Sequence, residues 1–191
     1  MSKPARLELP GGRTQVHLTG FMGSGKSTVG RLLARRLTWN FLDLDGVVER
    51  HEGRRVADIF AGGGEAAFRA AERQVLRQVV GKKATIVALG GGTLIDLANR
   101  ELSRHHAVLV WLRCPLEVLE WRCAGVTTVR PLWGDFEVLQ QRYGERLPGY
   151  ESADLVIEAE NEPGAVAAAV YEALTERSSP IGRGPALPGE A

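Results

Sequence analysis

The sequence predicts an α/β fold: a parallel sheet with helices on both faces. Three observations carry this reading. Five short segments are apolar without clean alternation, as strands buried on both sides are. Helix-like segments alternate with them. Loops rich in glycine or carboxylate follow the first three apolar segments, at the strand ends where an open parallel sheet places its ligand.

The elements follow in order. The first strand is Thr14–Thr19 and leads through a glycine-rich loop into a helix over Lys26–Leu37. The second strand, Asn40–Asp43, ends in carboxylates. Gly62-Gly63-Gly64 has no strand before it and reads as a helix-to-helix connector, with a helix over Glu65–Val80 beyond it. The third strand, Ala84–Leu89, runs into Gly90-Gly91-Gly92, and three consecutive glycines break any regular element. The fourth strand is Ala107–Leu112, followed by helices over Pro115–Cys123 and Phe136–Leu147. Leu155–Glu158 is the fifth strand and Pro163–Thr175 the last helix.

Length and composition bound the rest. The 191 residues suit one domain, placed at residues 1–176, with a core large enough to need no staples. Residues 1–12 read as frayed, and 177–191, dominated by Pro, Gly and Ser, as a disordered tail. The balance of 24 basic against 23 acidic residues gives no footprint for nucleic acid. Cys114 and Cys123 show neither metal-ligand nor disulfide spacing. No apolar run approaches the ~20 residues of a membrane span, and the first ten residues lack a secretory h-region. A cytoplasmic protein with no membrane partner is expected.

The loop after the first strand carries the strongest motif. Gly20-Phe21-Met22-Gly23-Ser24-Gly25-Lys26-Ser27-Thr28 reads G-x-x-x-x-G-K-S, the phosphate-binding loop, in the strand–loop–helix context it requires. Its glycines let backbone N–H groups converge on one anion, and the following helix adds its positive end. Lys26 can reach the β- and γ-phosphates, and the Ser27 hydroxyl can ligate Mg2+. The chain is therefore expected to bind a nucleoside triphosphate.

Other residues suggest what receives the phosphate. Asp43 and Asp45, two apart at a strand end, suit metal-bound water and an attacking hydroxyl. Asp45 could equally be a helix N-cap. Gly90–Gly92 suits close approach of a substrate to the backbone. Arg130 lies in a stretch with glycines at both ends, Gly125 and Gly134, that suggests a lid. An arginine there would stabilise charge on a phosphoryl group in transfer. Arg69 and Arg146 also stand out, though each has an ordinary alternative: a pair with Glu65, and a cation at a helix C-terminus.

In sequence order, the phosphate loop through Arg31, Leu42-Asp43-Leu44-Asp45, Phe68-Arg69, Gly90–Gly92, Val129-Arg130-Pro131-Leu132 and Arg146-x-Pro148-x-Tyr150 resemble the shikimate kinase family. The resemblance covers about residues 14–176. It implies a three-layer P-loop kinase fold of the nucleoside-monophosphate-kinase type, with a five-stranded parallel sheet and a mobile lid at about 124–134. It also implies transfer of the ATP γ-phosphate to the 3-hydroxyl of shikimate, giving shikimate 3-phosphate on the way to chorismate and aromatic amino acids. A monomer is expected.

By the same resemblance, Asp45 binds the shikimate hydroxyls and is the candidate base, and Asp43 binds Mg2+ through water. Arg69 and Arg146 grip the substrate carboxylate, and Gly90, Gly91 and Gly92 contact the substrate through the backbone. Gly23, Ser24, Gly25, Lys26, Ser27, Thr28 and Arg130 hold ATP; Lys26 and Arg130 neutralise the moving phosphoryl group. Two departures stand out. The family often has an adenine-stacking arginine seven residues before the lid arginine. Here that position is Cys123 with Arg122 beside it, so either the register slips by one or adenine is held otherwise. Trp133 replaces a common aliphatic residue.

The rivals are a kinase for another sugar acid such as gluconate, and a catalytically silent nucleotide-sensing module. Intact Lys26, Asp45 and Arg130 argue against the second. A GTPase switch is disfavoured, because no Asn-Lys-x-Asp motif occurs.

Overall fold

The computed structural model describes residues 7–124 and 136–178. Strands β1 (Gln15–Thr19), β2 (Asn40–Asp43), β3 (Thr85–Ala88), β4 (Ala107–Arg113) and β5 (Leu155–Glu158) form one sheet in the order β2-β3-β1-β4-β5, with every pairing parallel. The chain adds strands to one side of β1 and then to the other. The crevice at this reversal, beyond the carboxyl end of β1, is where such sheets bind ligands.

The alternation of side chains along buried strands makes two cores. Val16, Leu18, Val108 and Val110 pack with Val29 and Leu33 of α1 (Lys26–Leu37) and Val166 and Val170 of α7 (Pro163–Ser178). On the other face Val87 and Leu109 pack with Leu44 and Val48 of α2 (Leu44–Glu52) and with Val75, Leu76 and Val79 of α3 (Val56–Val79). The remaining helices are α4 (Leu97–His106), α5 (Leu116–Ala124) and α6 (Phe136–Tyr150). Among the described residues, no helix is long and apolar enough to cross a membrane.

Several details differ from the sequence reading. Helix α2 starts directly at the end of β2, so Asp43 occupies the N-cap position and Asp45 lies in the first helical turn. The two carboxylates therefore do not share one side of an extended chain. Helix α3 begins nine residues before Glu65, at Val56, and the glycine triplet ends in a break at Gly64 (φ 67°, ψ −169°). Helix α4, absent from the sequence reading, is capped by the Asp96 carboxylate, which accepts from the N–H of Ala98 and Asn99. Helix α6 continues through Pro148 to Tyr150. Proline removes one backbone donor and crowds the carbonyl four residues back, a cost confined here to the last turn because α6 ends two residues later.

Candidate active site

The phosphate loop fills the crevice at the end of β1. Gly20 (φ 141°) has no room for a side chain, because a Cβ would stand 2.7 Å from Leu112 O. Gly23 (φ 79°) is in the left-handed region, and a Cβ there would meet Cys123 Sγ at 2.6 Å. Gly25 leads into α1, Ser24 is buried, and Thr28 is exposed. Lys26 Nζ donates to the carbonyls of Gly20 and Phe21, both at 2.8 Å, across the cradle where an anion would sit.

Beside this loop, Ser27 Oγ donates to Asp43 Oδ2 at 2.5 Å. A hydroxyl and a carboxylate are hard oxygen donors, the chemistry that suits Mg2+. These residues fit that ion. Asp45 turns elsewhere. Its Oδ1 lies 3.1 Å from the place a Cβ would occupy on Gly90.

The triglycine turn after β3 gathers the remaining groups. A Cβ on Gly91 would stand 3.1 Å from Arg146 Nη1 and 3.6 Å from Gly20 O, and one on Gly92 would stand 2.5 Å from Arg69 Nη2. Two guanidinium groups thus converge on consecutive residues of one turn, and that turn abuts the phosphate loop. Planar guanidinium forks match a carboxylate. Arg146 also lies over the Phe21 ring, 5.2 Å from its centroid.

A shikimate kinase family model matches residues 22–175. The chain is 38% identical to shikimate kinase of Salinibacter ruber over 177 residues, which is 87% of each chain. It is 43% identical to that of Gloeobacter violaceus, over 85% of this chain and 93% of that one. The chain belongs to the shikimate kinase family. Its fold matches the structure of shikimate kinase from Acinetobacter baumannii in complex with shikimate, with a TM-score of 0.81, 32% identity, and coverage of 86% of this chain and 94% of that one. These matches favour neither the gluconate kinase nor the silent module.

A cavity of about 270 Å³ lies beside the phosphate loop, bounded by Gly23–Gly25, Trp121, Arg122 and residues 159–163. Arg122 donates to Ala159 O at 2.8 Å and to Glu160 O at 2.7 Å. The guanidinium thus lies on the cavity wall, one residue before the family position, while Cys123 packs on Gly23. Arg130, Trp133 and the proposed lid lie outside the described residues.

Sequence reasoning missed the residues that hold the triglycine turn and the segment after it. Glu72 is fully buried; its Oε2 accepts from Arg69 Nη1 at 2.8 Å, and its Oε1 from Thr93 Oγ1 at 2.5 Å. Glu65 accepts from Arg69 at 3.0 Å. Burial opposes charge on Arg69, yet Glu72 and Glu65 together raise its pKa above the usual arginine value. Asn99 donates to Thr93 O at 3.2 Å, and Arg100 grips Leu94 O at 3.0 and 2.9 Å. One signal was present in the sequence: Phe68, Glu72, Val75 and Val79 fall on one helical stripe, and the acid on that apolar stripe needs a partner.

Proposed function

We propose that this chain is an ATP-dependent kinase that transfers the γ-phosphate to the 3-hydroxyl of shikimate, yielding shikimate 3-phosphate. The observation that carries this reading is the triglycine turn. It faces Asp45, Arg146 and Arg69 at successive residues and rests on Gly20 of the phosphate loop. An acceptor carrying both a carboxylate and hydroxyls fits such a turn, and shikimate is one. The relative from Acinetobacter baumannii, 32% identical, was solved with shikimate bound.

The roles follow from position. Arg69 and Arg146 hold the acceptor carboxylate. Asp45 accepts hydrogen bonds from the acceptor hydroxyls and takes the proton of the attacking one. Backbone N–H groups of Gly23 to Thr28 and the Lys26 ammonium hold the triphosphate, and Lys26 follows the charge on the transferring group. Ser27 and Asp43 would hold Mg2+, which when bound neutralises charge on the β- and γ-phosphate oxygens. Arg130, assigned from the sequence resemblance alone, would complete that neutralisation. Phosphoryl transfer of this kind depends on positioning and electrostatics more than on covalent chemistry. The same reading makes the enzyme a cytoplasmic monomer with no nucleic-acid partner.

A coupled ADP-release assay with shikimate, gluconate and no acceptor tests the assignment. ADP release that depends on shikimate and on Mg2+ is expected. Equal release without an acceptor would sink the kinase reading, and preference for gluconate would sink the choice of acceptor.

A further inference from the structure

We propose that Tyr150 is a positioning residue for the acceptor: its hydroxyl, bonded to Gly91, sets the conformation of the triglycine turn. This rests on the reading of that turn as the acceptor site. Glycines carry no side chain to fix their dihedrals, so an untethered run of three samples many conformations and loses that freedom when it is ordered. The carbonyls of Gly90 and Gly92 are held within the turn itself, accepting from Thr93 N–H and Ile95 N–H, both at 3.1 Å. The middle carbonyl, on Gly91, accepts from the Tyr150 hydroxyl at 2.6 Å. A trans peptide is planar, with its C=O and the next N–H pointing in opposite directions. Anchoring Gly91 O towards Tyr150 therefore turns the Gly92 N–H the other way. Tyr150 fixes the one peptide plane that the turn does not fix for itself.

The anchor is itself well held. Tyr150 is 1% exposed. Its ring stacks on Trp111, with centroids 5.8 Å apart and planes at 28°, and meets Tyr143 edge-on at 6.1 Å. The nearby Arg146 guanidinium pulls the phenol pKa down, but burial dominates and raises it well above its ordinary value, so the hydroxyl keeps its proton and stays a donor. One residue earlier, Gly149 packs on the segment that follows the turn: a Cβ there would stand 3.0 Å from Leu94 O. The end of α6 thus meets the triglycine turn through a hydroxyl and an arginine, and the residues just after it through a close backbone contact.

The test is Tyr150→Phe in the full chain, with shikimate and ATP varied separately. The KM for shikimate is expected to rise about fivefold, the equivalent of one hydrogen bond, with the KM for ATP unchanged. Trp111→Phe, which thins the packing under the Tyr150 ring but leaves its hydroxyl in place, is the control and should lower the thermal midpoint without moving either KM. An unchanged KM for shikimate in Tyr150→Phe overturns the proposal. So does a parallel rise in both constants, or a variant that fails to fold, since the hydroxyl would then be supporting the fold at large. Wild-type protein inactive on shikimate would instead refute the functional reading, which separates the two failures.

Discussion

Thr93 Oγ1 lies 2.5 Å from Glu72 Oε1, and the other oxygen of the same fully buried carboxylate takes Arg69 Nη1 at 2.8 Å. One buried acid of α3 thus ties the segment just after the triglycine turn to Arg69, the arginine proposed to hold the acceptor carboxylate. Glu72→Gln keeps the shape and removes the charge. Breaking this pair should cost about 2 kcal/mol of stability, since a buried charge loses its partner while Arg69 keeps Glu65 and some water. It should also raise the KM for shikimate more than that for ATP. Urea unfolding and steady-state kinetics on the same protein check both expectations.

Gly92→Ala isolates the arginine contact. The added methyl would stand 2.5 Å from Arg69 Nη2, the far end of a flexible side chain. The chain yields by moving that side chain, so the fold should survive, with its thermal midpoint lowered by a few degrees as Arg69 loosens from Glu72. The price falls on acceptor binding: the KM for shikimate should rise about tenfold or more, as one charge-assisted bidentate contact is lost.

Asp45→Asn and Arg130→Ala address the chemical step. Each should lower kcat about 100-fold or more, with ATP affinity by calorimetry changed far less. Near-normal turnover in either variant would remove the role assigned to it.

Ser27→Ala removes the hydroxyl that faces Asp43 Oδ2 at 2.5 Å. The Mg2+ concentration giving half-maximal activity should rise several-fold, and saturating Mg2+ should recover much of the rate. Loss of activity with no change in Mg2+ dependence would contradict the metal assignment.

His17 gives the acid limb of stability. It is fully buried in β1, contacts Gln15 Oε1 at 3.1 Å, and burial, aided by nearby His106, lowers its pKa to about 3. The folded value lies below the unfolded value of about 6.5, so the unfolded chain takes up the proton first. The neutral ring costs nothing above pH ~6.5, and stability falls as pH drops from there towards ~3, by up to about 5 kcal/mol. His17→Asn, which retains a donor for Gln15, should flatten that fall. Urea midpoints between pH 4 and 7 for both proteins measure it.

The positions of all five strands, of α1 and of the phosphate loop were legible in the sequence because each depends on local pattern: an apolar run, a glycine spacing, a helix period. The acceptor residues were legible only as isolated arginines, carboxylates and glycines. Two kinds of feature were not. Helix α2 starts at Leu44, directly on the end of β2, so the cap suggested at Asp45 falls two residues late, and α4 starts at Leu97 past the turn at Thr93–Ile95, where the pattern gave no bounds. The supports of the triglycine turn and of Thr93 after it, Glu72, Asn99 and Tyr150, come from three different helices. Their separation along the chain hides that they meet. Sequence by itself determined which chemistry the chain carries, because a phosphate cradle is a local backbone shape. Only the tertiary structure decided how the acceptor side is held, because packing brings Tyr150 onto Gly91 and sets a buried carboxylate between Arg69 and Thr93.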